Sequence, residues 1–383
     1  MPTRVVHLIS NLGTGGAETM LLRLLRSESA RASDHCVISL LSDGPLAADI
    51  RALGVDLVEL GARRSLSAAG LLPKLVGTLK QRQPDVIQAW MYHGNLAASV
   101  SRPFLGVHPP IIWNVRQTLQ RLSNNGLLTR AVILSGSVLS RSPARVVYNS
   151  EASARQHEAW GYPRTKRCII DNGFDVDVTT DREAARESLL RELDLSEPVL
   201  LIGRVARKDP QKDDQTLFGA FGRVAESIPN AHLVLVGKGM TLDDPEIAAY
   251  RNRSGHPDRV HCLGERRDVP DLTPAFDLAV SSSAHSEGFS NVVAEAMAAG
   301  VPALATDVGS ASLILRDADR IVPPRDPERL AKAAVAMLTR TIEERHRLGE
   351  EDRRAIAERF DIGVIAARYR ALWDEVLERR DDY

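Results

Sequence analysis

The sequence predicts an α/β fold of two doubly wound, Rossmann-like domains facing a central cleft. Three observations predict it. The chain has 383 residues, enough for two independent cores. Short β-branched runs alternate with helix-period stretches from end to end, the pattern of βαβ units on a parallel sheet. That pattern then restarts after the turn-rich stretch Asp171-Asn172-Gly173-Phe174-Asp175.

In the first half the strand candidates are Arg4–Ser10, Cys36–Leu41, Val55–Leu60, Asp85–Trp90, Ile111–Val115, Arg145–Tyr148 and Cys168–Asp171. Helix-period stretches such as Ala17–Ser29, Leu66–Gln81 and Glu151–Trp160 lie between them. In the second half, strands are read at Val199–Gly203, His232–Val236, Arg259–Leu263, Leu278–Ser281 and Ala303–Ala305. Helices follow at Gln215–Ser227, Asn291–Ala299 and Pro327–Leu338. The final helix, Ile362–Arg379, sets Ile365, Tyr369, Leu372, Trp373 and Val376 on one face, so it packs against something. The expected domains are 1–172 and 173–360, with the segment 361–383 returning to the first. A cleft between two such domains is the natural ligand site.

Composition narrows the class. At 44% hydrophobic and 26% charged residues the chain is globular. Cys36, Cys168 and Cys262 lie too far apart for a disulfide framework or a four-ligand zinc site. No apolar run approaches the roughly 18–20 residues of a membrane span, and Val5–Ile9 is too short for a signal peptide, so a cytoplasmic protein is expected. The formal net charge of −1 hides a split: residues 1–171 carry +9 and residues 172–383 carry −10. Val86–Ser150 holds Arg102, Arg116, Arg121, Arg130, Arg141 and Arg145 and no Asp or Glu. A basic half suggests an anionic partner, nucleic acid or membrane, although ordinary surface arginines would read the same way.

Three loops carry chemistry. Asn11-Leu12-Gly13-Thr14-Gly15-Gly16-Ala17-Glu18 follows the first strand and opens a helix, where glycine lets a ligand approach the backbone. Its spacing is not G-x-G-x-x-G, and a tight strand–helix turn would look alike. In Arg207-Lys208-Asp209-Pro210-Gln211-Lys212-Asp213 a guanidinium and an ammonium five residues apart suit a diphosphate, or are surface charge. The third loop is the most informative. Ser286-Glu287-Gly288-Phe289-Ser290-Asn291-Val292 leads into an Ala-rich helix bearing Glu295. Open backbone N–H groups of Gly288, Phe289, Ser290, Asn291 and Val292 would face an anion, and two carboxylates would accept from sugar hydroxyls.

Taken in order, Gly15-Gly16-Ala17-Glu18, Trp90-Met91-Tyr92-His93-Gly94-Asn95, Ile112-Trp113-Asn114-Val115-Arg116, Asn172-Gly173-Phe174-Asp175, Arg207 with Lys212, and Glu287-Gly288-Phe289 with Glu295-Ala296-Met297-Ala298-Ala299-Gly300-Val301-Pro302 resemble a family 4 retaining glycosyltransferase of the GT-B fold. The resemblance runs along nearly the whole chain and includes the family's E-x7-E pattern. It implies a nucleotide-sugar donor on the second domain. Glu287 would hold the donor sugar, Glu295 the ribose, and Arg207 with Lys212 the diphosphate. Gly15, Gly16 and the Gly288–Val292 backbone would touch sugar or phosphate. The base would lie near Gly264, with Arg266 on its face. No metal and no other cofactor is expected, and UDP is the expected nucleotide. Two departures from the family stand out. Many relatives place a histidine at the end of the fourth strand; here Trp90 stands there and His93 follows, so which of the two takes the place stays open. Arg204 precedes Arg207 and is the fallback for the diphosphate. The acceptor is expected to be a glycan or a lipid-linked, envelope-type molecule. The basic first domain could then meet an anionic membrane surface, as a peripheral protein on its inner face, and nucleic acid drops out. A nucleotide-sugar epimerase of the same fold and a non-catalytic sugar-nucleotide-binding protein are the alternatives. The apolar stretch 127–139 is read as a core helix rather than a membrane-surface one.

Overall fold

Thirteen parallel strands, in two sheets, carry the described part of the chain in this computed structural model. The structure describes residues 2–27, 34–61, 68–119, 127–176, 181–285 and 287–379; Arg121 and Ser286 lie outside them. The chain divides into two compact units. One runs up to Gly173 and resumes at Ile362; the other is Phe174–Asp361.

The first unit contains β1 (Arg4–Ile9), β2 (Asp34–Ser39), β3 (Asp56–Glu59), β4 (Val86–Trp90), β5 (Ile111–Val115), β6 (Arg145–Tyr148) and β7 (Arg167–Ile169), ordered β3-β2-β1-β4-β5-β6-β7. The strands are nearly continuous apolar runs because both sheet faces are covered. Leu8, Ile38, Ile87 and Trp113 face one core; Ile9, Val37, Trp90 and Ile112 face the other. That second core is completed by Ile365, Tyr369, Trp373 and Val376 of the terminal helix Ile362–Glu378.

The second unit contains β8 (Leu200–Val205), β9 (Ala231–Val236), β10 (Val260–Gly264), β11 (Leu278–Ser281), β12 (Ala303–Thr306) and β13 (Ile321–Val322), ordered β10-β9-β8-β11-β12-β13. Short acids and hydroxyls start its helices: Asp181 accepts from the Glu183 and Ala184 amides, and Thr341 with Glu344 forms a capping box. Its two ends are tied by the Phe174 amide, which donates to the Phe360 carbonyl at 2.8 Å.

Strand order reverses between β1 and β4 in the first sheet and between β8 and β11 in the second. In doubly wound sheets ligands settle beyond the carboxyl ends of the strands at that reversal. The loops after β1, β8 and β11 carry Gly15–Gly16, Arg207–Lys212 and Glu287, and the helix that directly follows β4 carries His93.

Candidate functional site

In the second unit the chain leaves β8 in a turn pressed onto the end of β9. The Lys208 amide donates to the Lys238 carbonyl at 2.8 Å, and a Cβ on Gly237 (φ +145°) would sit 2.9 Å from the Arg207 nitrogen. Asp209 then accepts from the Gln211 amide at 3.0 Å and starts a single 3-10 turn, Pro210–Lys212. Asp213, in the left-handed region at φ +51°, caps the helix Asp214–Ser227 by accepting from the Thr216 amide at 3.2 Å. Two caps in succession leave Lys212 directed at Glu287, its Nζ 3.0 Å from Oε1 and 2.7 Å from Oε2. Both side chains are only 11% exposed, so this is a nearly buried ion pair.

Glu287 is fixed from further sides. The Ser283 hydroxyl donates to Oε2 at 2.9 Å, and the Thr306 hydroxyl holds the Ser283 carbonyl at 2.6 Å. Ser282 Oγ donates to the Lys212 carbonyl at 2.8 Å. Gly309, at φ +68°, lies against the Glu287 backbone, where a Cβ would be 2.8 Å from the carbonyl carbon and closer still to its oxygen. None of Ser283, Thr306 and Gly309 was singled out from sequence. The Ser281-Ser282-Ser283 run at a strand end was the available signal.

The Gly288–Val292 segment corrects an expectation. Its five amides are not all open: Ser290 donates to Ser310 Oγ at 3.2 Å and Asn291 to the Phe289 carbonyl at 3.0 Å. The Gly288, Phe289 and Val292 amides meet no acceptor among the described residues. The Phe289 ring turns into the core, 5.8 Å from Phe174 and 5.3 Å from Phe360 between centroids. These contacts anchor the head of the helix Asn291–Ala298.

Glu295, half-buried on that helix, lines a small pocket together with Val205, Val269, Phe276, Ser281 and Val292. Gly203 is needed beneath it, since any side chain there would enter the Phe276 ring. Gly264 (φ +69°) accepts from the Gly237 amide at 2.7 Å and so joins β10 to the β9 turn. Arg266 is held by Glu192 and Asp268, whose carboxylates push its pKa up. Arg204, the fallback, is buried against Asp214 and the Ala206 carbonyl; burial lowers its pKa although Asp214 opposes this. Arg207 instead is exposed and pairs with Asp209 at 2.7 Å. Arg207 is therefore the one with a guanidinium a solute can reach.

In the first unit Gly15 and Gly16 are exposed at the head of the helix Gly16–Arg26. The Glu18 carboxylate folds back beneath them, 2.5 Å from where a Gly15 Cβ would stand, and burial raises its pKa. Trp90 is fully buried and donates from Nε1 to His7 Nδ1 at 3.2 Å. Met91 takes φ +62°, turning β4 sharply into the helix Met91–Ser101. Gly94 lets that helix meet the Leu8 carbonyl, where a Cβ would be 2.7 Å away. His93 consequently stands half-buried in the first turn, where desolvation lowers its pKa and favours the neutral ring. Between Trp90 and His93, only His93 is reachable by a solute.

Behind it lies a buried polar hub. Arg116 donates to the Tyr369 hydroxyl at 2.7 Å, to Asn114 Oδ1 at 3.0 Å and from Nε to Asn172 Oδ1 at 2.8 Å. Asn114 Nδ2 also donates to Tyr369 at 2.8 Å. This hub fastens the terminal helix to β5 and to the end of the first chain segment. Among the described residues no group of three or more His, Cys, Asp or Glu side chains is placed to hold a metal ion, and no helix is long and apolar enough to cross a membrane.

Comparison with known proteins gives this geometry a family. Residues 14–178 match the family model for Glycosyltransferase Family 4, and residues 197–340 that for Glycosyl transferases group 1. A phosphatidyl-myo-inositol mannosyltransferase of Mycobacterium leprae (strain TN) is 28% identical over 61% of this chain; the match spans 59% of that relative's length. A lipopolysaccharide core biosynthesis mannosyltransferase, LpsB, of Rhizobium meliloti (strain 1021) is 26% identical over 75% of this chain and 80% of its own. Among solved structures, Anabaena Alr3699/HepE in complex with UDP and glucose superposes with a TM-score of 0.83 at 21% identity, covering 97% of this chain and 99% of that one. With both of its doubly wound units matched, the chain belongs to the family 4 glycosyltransferases of the GT-B fold.

Proposed function

We propose that this glycosyltransferase is a retaining, metal-independent hexosyltransferase that moves a sugar from a nucleoside diphosphate, UDP, to a glycan or lipid-linked acceptor. The observation that carries this reading is the Lys212–Glu287 pair followed in the chain by the Gly288, Phe289 and Val292 amides, which meet no acceptor among the described residues. A cation and aligned N–H groups suit a diphosphate, and a fixed carboxylate suits hydroxyls of the attached sugar. Glu287 holds the donor sugar, Glu295 the ribose, and Arg207 with Lys212 the diphosphate, with Gly15 and Gly16 as backbone contacts. Gly264 and Arg266 border the place of the base.

During transfer the bond between the anomeric carbon and the diphosphate oxygen breaks, and negative charge grows on the leaving group. Lys212, Arg207 and the amides stabilise that charge, which is the part of the barrier they can lower. The acceptor oxygen bonds to the same face, and its proton passes to an oxygen of the leaving diphosphate. His93, neutral and reachable, positions the reacting sugar or the acceptor. The crystal structures of Anabaena HepE with UDP, with UDP-glucose and with UDP and glucose support the choice of nucleotide. The acid-free Val86–Ser150 segment supports an acceptor at an anionic surface.

Calorimetry with UDP, followed by product analysis with a radiolabelled nucleotide sugar, tests the proposal. Binding that survives a chelator, and transfer to an added glycan or lipid-linked acceptor with the anomeric configuration kept, is the expected result. Failure to bind any nucleoside diphosphate refutes the donor site. Isomerised nucleotide sugar without acceptor would make the protein an epimerase.

A further inference from the structure

Two features of the first unit lie outside the reaction steps: a methionine in the left-handed region and, beside it, two buried histidines. Met91 stands at φ +62°, where glycine is at ease and an L side chain is crowded by its own backbone. The chain has no loop there to absorb the bend. Trp90, extended at φ −119° and ψ 124°, is still paired in β4, and the helix Met91–Ser101 begins at the next residue. One residue therefore makes the whole turn from strand to helix, and His93 follows it by two positions. A strained residue persists only where its surroundings over-determine it.

The surroundings do so from several sides. The Trp90 indole donates to His7 Nδ1 at 3.2 Å, so the proton of the neutral His7 ring lies on Nε2, which donates to His35 Nδ1 at 3.0 Å. Burial, and after it the neighbouring His35, holds the His7 pKa well below 6.5 and keeps that ring neutral. The Arg116 amide donates to Met91 Sδ at 3.4 Å, and the Tyr92 hydroxyl is bonded to His157 Nε2 at 2.8 Å. The Asn114 amide donates to Asn95 Oδ1 at 3.4 Å, and Gly94 lies against the Leu8 carbonyl.

Every residue from 90 to 95 except His93 is thus pinned to a neighbouring element. The His93 ring, half-buried, meets no hydrogen-bond partner among the described residues. A frame that fixes its neighbours, holds one of them under strain and leaves a single imidazole uncommitted is what aiming that imidazole requires. We propose that Met91, with the buried His7–Trp90 bond behind it, is a positioning residue: its left-handed turn sets the place of the His93 imidazole for transfer. The purpose of the device rests on the part given to His93 above; its packing does not.

Met91→Val, Met91→Gly, His7→Leu and His7→Gln variants of the full chain test it, each alone and combined with His93→Ala. Valine does not tolerate φ +62° and glycine does; leucine takes the acceptor from Trp90, whereas glutamine restores both an acceptor and a donor. UDP release from UDP-glucose, the probe donor, is the first readout. The value of kcat should fall about tenfold or more in Met91→Val and His7→Leu, and stay within about threefold in Met91→Gly and His7→Gln, with KM for the donor little changed. In the His93→Ala background the same substitutions should cost less than about twofold further, which a merely structural role would not produce. The second readout is modification of His93 by diethyl pyrocarbonate, mapped by mass spectrometry with exposed His108 as internal standard. Its rate should change severalfold in Met91→Val and His7→Leu only, and it decides the case where UDP-glucose is not turned over. Circular dichroism and UDP calorimetry show which variants are folded. Unchanged kcat and unchanged His93 modification in a folded Met91→Val or His7→Leu would overturn the inference, as would losses that persist undiminished beside His93→Ala. Full activity of His93→Ala alone would remove the role of His93 and this inference with it, while normal UDP binding by that variant leaves the donor site standing.

Discussion

Gly309→Ala perturbs the site without replacing a charged group. Two costs follow from its position. At φ +68° an alanine is in the left-handed region, which costs about 1–2 kcal/mol. Its Cβ would also stand 2.8 Å from the Glu287 carbonyl carbon, whereas ordinary contact begins at 3.4 Å, so the loops must part by about 0.6 Å or more. Glu287 would move relative to Lys212 and Ser283, which hold its carboxylate at 2.7–3.0 Å. Since a misplacement near 1 Å costs about a hundredfold in rate, kcat should fall about tenfold to a hundredfold. Donor turnover at saturating UDP-sugar and a thermal melt read both effects, the melt falling by roughly 2–8 °C. Gly309→Asn separates the causes: asparagine tolerates the left-handed region but keeps the Cβ. It should recover much of the stability and little of the rate. An alanine variant with turnover within twofold of the parent would refute the claim that Gly309 sets the place of Glu287.

The other predictions are more direct. Glu295→Ala should weaken UDP affinity, while Glu287→Ala should leave it within a few-fold and lower turnover; calorimetry beside initial rates decides, and equal losses of affinity contradict the division of roles. Tyr369→Phe strips the acceptor from Arg116 and Asn114, two buried donors, and should destabilise the chain by about 2–4 kcal/mol in a urea titration. A loss under about 0.5 kcal/mol would mean that the hub does not fasten the terminal helix. His157, bonded to the Tyr92 hydroxyl at 2.8 Å, has its pKa lowered by burial from 6.5 to about 4. The folded protein binds fewer protons at this site than the unfolded chain. The contribution is therefore whole above pH 6.5 and lost as pH falls through about 4, up to about 3 kcal/mol. His157→Gln should flatten that part of a stability–pH curve, and an unchanged slope would refute it.

Much of the fold was legible because the sheets are buried on both faces. Runs such as Val86–Trp90 and Ile111–Val115 have no polar alternation and sit between turn residues, which reads as a parallel strand. The helix Ile342–Phe360 escaped notice for the opposite reason. Its inward face is built largely from charge: Arg345 pairs with Asp277 at 3.2 Å and Asp352 with Arg320 at 2.5 Å. Hydrophobic period finds no helix whose contacts are ion pairs. The stretch 127–139, read as a core helix, buries Val132 and Ile133 while Leu127, Leu134 and Val138 are exposed, since apolar residues alone do not tell which side of a helix has a neighbour. At the site, Glu287, Arg207 and Lys212 were visible as residue types on loops after strands, and Glu295 on the helix that follows one. Ser283, Thr306 and Gly309 were not, because their roles appear only where the loop after β11 packs against the end of β12 and the loop that follows it. The commitment of the Ser290 amide to Ser310 is likewise a tertiary fact, twenty residues distant in sequence.

The charge split takes on a different meaning once individual pairs are known. The acidic half spends carboxylates on internal pairs, as Asp277 does on Arg186 and Arg345, and Asp214 on Arg204. What an anionic donor would meet there is not bulk charge but Lys212, 11% exposed, a few amides and a single exposed guanidinium, Arg207. Groups so enclosed are screened little by salt, whereas cations at the surface are screened within about 8 Å at physiological ionic strength. Salt tests this directly. Between low and moderate salt, UDP affinity should change only a few-fold. A steep fall would mean that the donor is held by diffuse surface charge, and the focused donor site built around Lys212 and Glu287 would lose its physical basis.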